Sequence, residues 1–274
     1  MTAISLPDPS LVDAVIRIAR QAGDAIMAIY AGRDGWEADG AGVLVARKAD
    51  ASPLTQADLA AHRVIVAGLQ AATPAIPVVS EEDADSHARR RPPEEFWLID
   101  PLDGTKEFLS RRDEFTVNIA LVRDGRAVFG VVHAPALDQL YWGGVGLGAC
   151  RATGGAAAVP IRVAAPAATL RVVASKSHLN DATRDFLAGL PRHDLVQAGS
   201  SLKFCRIAEG AADIYPRLGP TSEWDTAAAQ AVVEAAGGLV VTLAGEPLRY
   251  GKDDILNPSF VAAARPLAAF AKRP

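Results

Sequence analysis

Carboxylates at the ends of apolar runs dominate the chemistry that this sequence offers. Residues 96–99 run directly into Asp100-Pro101-Leu102-Asp103-Gly104-Thr105, residues 76–80 run into Glu81-Glu82, and Asp225 stands at a further boundary in Trp224-Asp225-Thr226-Ala227-Ala228. Pro101 stiffens the turn after Asp100 and Gly104 releases it, so two carboxylates and the Leu102 carbonyl can face one point. An oxygen-only donor set favours a hard cation, Mg²⁺ or Mn²⁺, over zinc. Lys106-Glu107-Phe108 can then start a helix, whose first N–H groups, at Gly104 and Thr105, suit a phosphate oxygen. Taken singly, each acid has a structural reading: Asp100 as a turn former, Asp103 and Asp225 as helix N-caps, Glu81 as a solvated acid. Four acids converging from three element ends would need a cation.

The second half supplies the opposite charge. Ser175-Lys176-Ser177-His178 follows an apolar run, Ser200 and Lys203 share a helix start, and Arg217 follows Tyr215-Pro216. Together they could form a basic, hydroxyl-bearing wall for a second phosphate. Tyr215 and Trp224 could stack on a base, although a core or rim position is the default for each. His62 and His133 read as structural. Gly143-Gly144-Val145-Gly146-Leu147-Gly148 follows a hairpin and lacks the strand-to-helix setting of a dinucleotide loop, so it reads as a turn.

These residues must be positioned by ordinary elements. Leu11, Val15, Ala19, Ala22, Ile26 and Ile29 recur at helical spacing until Gly32, with Ser10 and Asp13 as the expected capping box. Residues 43–46 read as a short strand, and Thr55 opens a second helix with Asp58 in its first turn. Charged, Pro-bearing residues 83–95 read as an exposed connection. Residues 115–122 and 127–132 flank Asp124-Gly125, a hairpin dipeptide, and 139–142 can add a third antiparallel strand. Ala, Gly and Pro enrichment over 151–168 marks a domain boundary, which divides the chain into an N-terminal α+β metal-binding domain, 1–150, and a C-terminal α/β domain, 151–274. In the latter, strands fit 170–174, 195–197, 212–215 and 239–243, and helices fit 181–190, 201–209 and 225–236.

Composition limits the partners. The chain has 274 residues, 28 Lys plus Arg against 32 Asp plus Glu, and a formal net charge of −4. Such a balance does not draw a nucleic-acid polymer. Cys150 and Cys205 lack a paired spacing, which suits a reducing compartment. Residues 1–10 show no secretory signal, and the long uncharged stretch at 64–80 carries Pro74 and Pro77, so the expected location is the cytoplasm with no integral membrane segment.

Ser80-Glu81-Glu82-Asp83, Asp100-Pro101-Leu102-Asp103-Gly104-Thr105 and Trp224-Asp225-Thr226-Ala227-Ala228 resemble, in order and spacing, the metal-site motifs of the inositol monophosphatase superfamily. Lys48-Ala49-Asp50 with Ser52-Pro53-Leu54-Thr55, Lys106-Glu107-Phe108 after the turn, and Gly199-Ser200-Ser201-Leu202-Lys203-Phe204-Cys205 are similar to its 3′(2′),5′-bisphosphate nucleotidase branch. The resemblance implies an α/β, two-domain layered αβαβα sandwich of the inositol monophosphatase/fructose-1,6-bisphosphatase type. It implies Glu81, Asp100, the Leu102 carbonyl, Asp103 and Asp225 as ligands of two or three Mg²⁺ ions, with Mn²⁺ as a substitute and Li⁺ and Ca²⁺ inhibitory. Asp58 and Thr105, with Glu81, would serve the attacking water. Asp103, Gly104, Thr105, His178, Ser200, Lys203, Arg217 and Asp225 would contact the substrate.

The implied reaction is in-line hydrolysis of the 3′-phosphate of adenosine 3′,5′-bisphosphate to AMP, in sulfur assimilation, extending to phosphoadenylyl sulfate and 2′,5′ isomers. Inositol monophosphatase or fructose-1,6-bisphosphatase activity is the alternative on the same scaffold. Some members of the superfamily associate loosely with membranes, and no segment here accounts for that at the inner membrane. A haloacid-dehalogenase-type phosphatase would need its second acid two residues after the first, whereas Asp103 follows Asp100 by three. A non-catalytic nucleotide or metal sensor would not need the intact set of Asp58, Glu81, Asp100, Asp103, Thr105 and Asp225.

Overall fold

The computed structural model describes residues 8–32, 46–47, 53–91, 94–165, 168–174 and 180–266. Two short strands, β1 (Ala46–Arg47) and β2 (Pro53–Leu54), pair antiparallel. A seven-stranded sheet follows, made of β3 (Val78–Ser80), β4 (Phe96–Asp103), β5 (Thr116–Arg123), β6 (Arg126–Ala134), β7 (Gln139–Gly144), β8 (Gly148–Thr153) and β9 (Val159–Ile161), in sequential order. Only β3 and β4 are parallel in it. The second sheet has five strands: β10 (Leu170–Ala174), β11 (His193–Gln197), β12 (Ile214–Arg217), β13 (Leu239–Thr242) and β14 (Phe260–Ala263), ordered β11-β10-β12-β14-β13. The helices are α1 (Pro9–Ala31), α2 (Gln56–Ala72), α3 (Thr105–Leu109), α4 (Asp181–Gly189), α5 (Leu202–Ala208) and α6 (Glu223–Ala235).

Strand alternation reveals five layers. On β4, Trp97 and Ile99 pack with Ile18, Ile26 and Ile65 of α1 and α2, while Phe96 and Leu98 pack with residues of α5 and α6. On the second sheet, Tyr215, Phe260 and Ala262 join that same α5/α6 core, while Ile214, Val261 and Ala263 turn the other way, toward Leu187 of α4. The order is therefore α1/α2, seven-stranded sheet, α5/α6, five-stranded sheet, α4, the αβαβα sandwich. α6 sits so close to the first sheet that a Cβ on Gly130 of β6 would come within 2.1 Å of the Ala228 carbonyl. Ala227, Ala228, Ala229 and Ala231 suit this approach, since small side chains let the helix backbone near the sheet.

Several local expectations shift. Asp8, not Ser10, caps α1, by accepting from the Ser10 N–H at 2.8 Å. Residues 83–95 are not simply an exposed connection: Ala84–Arg89 forms a 3-10 helix, Ser86 is buried, and Arg90 is buried against Glu223. Asp225 is the third residue of α6 and Ser222 its N-cap. The expected division at 150 falls inside β8, and the first sheet continues to Ile161. The strand expected at 43–46 lies outside the described residues except for Ala46.

Candidate active site

Asp58 is held before any ligand is considered. Thr55 caps α2, and the Asp58 side chain returns the bond, accepting from the Thr55 N–H at 2.8 Å and the Thr55 hydroxyl at 2.5 Å. The carboxylate is fully buried. Its other oxygen lies 3.4 Å from the Thr105 hydroxyl, which also lies 3.5 Å from the Leu102 carbonyl. The pairing of Asp58 with Thr105, which spacing alone could not supply, is thus present in the fold.

A bulge aligns the two acids of β4. Residues three apart on a regular strand point to opposite faces. Asp100 opposes Asn118 and Asp103 opposes Thr116, so three steps along β4 match two along β5. The extra residue, at a Pro that donates no ladder bond, cancels the alternation and lets both acids serve one side. The Leu102 N–H donates to Asp100 at 3.1 Å. Gly104 then takes a left-handed φ of +94°, and a Cβ there would lie 2.2 Å from the Ser200 hydroxyl oxygen.

The remaining acids come from neighbouring elements. Ser80 of β3 pairs with Ile99, and the Glu81 N–H continues to the Ile99 carbonyl, which sets Glu81 beside Asp100. The Ser80 hydroxyl meets His62 Nδ1 at 2.8 Å and the Ser80 carbonyl meets His87 Nε2 at 3.0 Å, so the turn is braced from two sides. Asp225 accepts from the Ser222 N–H in a second capping box. Burial first, then the nearby Asp103 and Glu81 charges, push the Asp225 carboxyl up to about 8. Burial pulls the Lys203 ammonium down, against Asp103, Glu107 and Asp225, which favour its charge.

A carboxyl whose proton affinity is raised by the acids beside it, as that of Asp225 is, marks a site short of positive charge, and oxygen donors of this kind fit a hard divalent cation. In the protein as folded here, no group of three or more His, Cys, Asp or Glu among the described residues is closed tightly enough to hold a metal. The acids share a field without forming a finished chelate.

The cationic wall is described in part. His178 lies outside the described residues. The Ser200 residue has φ +44°, and its hydroxyl lies 2.9 Å from the Asp103 carbonyl and 2.8 Å from the Glu114 carbonyl, locking two turns together. Arg217 donates from Nη2 to the Pro220 carbonyl, and its Nε is buried without a partner among the described residues. Tyr215 is core, packed with Phe204 and Phe260, and Trp224 sits against His87. His133 is structural, bonding the Ala19 carbonyl. Sequence reasoning gave no role to Ser201, although it stands in the stretch 199–205, and its hydroxyl lies 3.0 Å from Asp103 Oδ2. It missed the buried Arg90–Glu223 pair, which has no local signal because the partners are remote in the chain.

A layered αβαβα sandwich with acids converging from β3, β4 and α6 beside an Asp–Thr pair defines a class, and the chain belongs to the inositol monophosphatase family, which it matches over residues 8–272. Enzymes of this family are metal-dependent, typically on Mg²⁺. Among its relatives, the 3′(2′),5′-bisphosphate nucleotidase CysQ of Salmonella typhimurium is 46% identical over 91% of this chain and 98% of that protein. CysQ of Escherichia coli K12 is 45% identical over the same shares. The crystal structure of CysQ from Bacteroides thetaiotaomicron superposes with a TM-score of 0.83 at 40% identity, covering 95% of this chain and all of that one. No helix among the described residues is long and apolar enough to cross a membrane.

Proposed function

We propose that this chain is a 3′(2′),5′-bisphosphate nucleotidase that removes the 3′-phosphate of adenosine 3′,5′-bisphosphate and releases AMP, and that it works in the cytoplasm. The observation that carries this reading is that Asp103 and Asp225, which share a field with Glu81, also act on the half-buried ammonium of Lys203. One wall suits cations and the reacting phosphate; the other suits an anion that stays on the product.

Glu81, Asp100, the Leu102 carbonyl, Asp103 and Asp225 would hold two or three Mg²⁺ ions, replaceable by Mn²⁺ and inhibited by Li⁺ or Ca²⁺. When bound, the ions acidify water and neutralise charge on the leaving oxygen. The protein's own residues do the rest. Thr105 accepts a proton from the attacking water as its own hydroxyl proton passes to Asp58, which the capping box holds ready. The water oxygen bonds to phosphorus in line with the departing 3′-oxygen, the P–O3′ bond breaks, the 3′-oxygen takes a proton from solvent water, and Asp58 returns its proton to solvent. Glu81 orients the water, the Gly104 N–H donates to a phosphate oxygen, and His178, Ser200, Lys203 and Arg217 bind the nucleotide and its retained 5′-phosphate.

The test is kcat/KM with Mg²⁺ on adenosine 3′,5′-bisphosphate, its 2′,5′ isomer, phosphoadenylyl sulfate, inositol 1-phosphate and fructose 1,6-bisphosphate. The nucleotides should lead. A higher value on inositol 1-phosphate or fructose 1,6-bisphosphate would replace this reading with a sugar-phosphate one.

A further inference from the structure

Behind the carboxylates lies a buried amide–hydroxyl pair from the two halves of the chain, Asn118 and Ser201. Asn118 stands on β5 directly across from Asp100, Ser201 stands at the N-cap of α5, and each is 1% exposed. A serine at an N-cap ordinarily turns its hydroxyl to the helix N–H groups. Ser201 makes no such bond. Its oxygen instead accepts from Asn118 Nδ2 at 2.9 Å and lies 3.0 Å from both Asp103 Oδ2 and the Asp225 main-chain carbonyl.

Hydrogen-bond accounting fixes the direction of this chain of contacts. A hydroxyl has one proton to give, and with Asn118 donating to it, that proton is free for Asp103 or the Asp225 carbonyl. The reverse amide orientation would draw the Ser201 proton to Asn118 and leave the Asp103 carboxylate facing lone pairs. Asn118 Oδ1 is buried without a partner among the described residues, a burial cost that argues against stability alone as the reason for the pair.

The geometry points to Ser201 as a positioning residue: its hydroxyl registers the Asp103 carboxylate against the first turn of α6, which carries Asp225, and Asn118 holds that hydroxyl in place. The inference rests on the proposed reading of Asp103 and Asp225 as Mg²⁺ ligands.

The test is the Mg²⁺-dependent rise in Tm of substrate-free protein, followed as a function of Mg²⁺ concentration, together with kcat and KM. In Ser201→Ala the half-saturating Mg²⁺ concentration should rise about tenfold or more, as when groups behind a metal ligand are lost. kcat should fall with it, while KM for adenosine 3′,5′-bisphosphate stays within about two-fold, since the effect runs through the metal ligands. Asn118→Leu should move the same way, and the double variant should match Ser201→Ala, because Asn118 acts through Ser201. A folded Ser201→Ala protein with lower Tm but an unshifted Mg²⁺ midpoint would overturn the inference. Were Ser201→Ala not to fold, an unshifted midpoint in Asn118→Leu would do the same. If the wild-type Tm does not respond to Mg²⁺ at all, the metal reading itself fails, which is a separate and visible outcome.

Discussion

The Thr105 hydroxyl lies 3.4 Å from Asp58 Oδ1, across 47 residues of sequence, while the other oxygen of Asp58 caps its own helix. One carboxylate therefore links the start of α2 to the turn after β4, and its orientation is set by backbone geometry rather than by a ligand. Thr105→Ala should lower kcat about 10²–10⁴-fold at saturating Mg²⁺, the range expected when a proton-transfer group is lost. Thr105→Ser, which keeps the hydroxyl, should retain most of the rate. Steady-state phosphate release on the two variants checks this, and equal losses would remove Thr105 from proton transfer.

Asp100→Asn and Asp103→Asn each delete a charge where the bulge of β4 brings two acids to one side. Both should lose Mg²⁺-dependent phosphate release with an unchanged far-ultraviolet circular dichroism spectrum. Near-normal turnover in either would end the metal assignment.

The Asp225 carboxyl, pushed up to about 8, sets a pH dependence with a definite sign. In the unfolded chain it ionises near about 3.9. Between those values the folded, metal-free protein holds a proton that the unfolded chain releases, so stability falls as pH rises through that window. Mg²⁺ competes for the same oxygens, so its binding should release a proton below about pH 8 and weaken as pH falls. Melting curves in EDTA and in Mg²⁺ from pH 5 to 9 check both, at about those limits. Asp225→Asn should abolish the Mg²⁺ response and flatten the EDTA profile.

Lys203 has its ammonium 5.8 Å from the Tyr215 ring centroid and within the field of Asp103, Glu107 and Asp225. Lys203→Ala should cut kcat/KM on adenosine 3′,5′-bisphosphate by roughly 10–100-fold, the worth of one charge-assisted hydrogen bond. Inositol 1-phosphate, which has no second phosphate, should lose much less. Equal losses on both would count against a role in binding the retained phosphate.

Glu223 is fully buried and accepts from Arg90, the Gly251 and Lys252 N–H groups and the Lys252 ammonium. Glu223→Ala would leave the buried Arg90 guanidinium without this carboxylate, facing the neutral His87 and Lys252 carbonyls, so urea denaturation should show a loss of about 3–5 kcal/mol. A loss under about 1 kcal/mol, the range of surface pairs, would mean that Arg90 finds water instead.

Much of the site was legible locally. Asp100-Pro101-Leu102-Asp103-Gly104-Thr105 shows its chemistry in one turn, Thr55 and Asp58 announce a capped helix, and Asp124-Gly125, with φ of +52° and +71°, makes the hairpin it suggests. These signals depend on neighbours within a few residues. β14, by contrast, is a short run near the end of the chain whose role comes from antiparallel pairing with both β12 and β13, and it went unread. Arg90 sits in a charged, Pro-bearing stretch that looks solvated, and only its distant partner Glu223 makes it a buried residue.

The sequence by itself determined the residue types and the spacing of the acids, because a turn or a helix cap is a local object whose geometry a few residues fix. Tertiary structure alone decided which acids meet. Asp103 reaches Ser201 because α5 packs against the first sheet, and Asp225 joins Asp103 and Glu81 because α6 lies almost on the backbone of β6. Such distances depend on layers formed by the whole chain, whose packing no local pattern records.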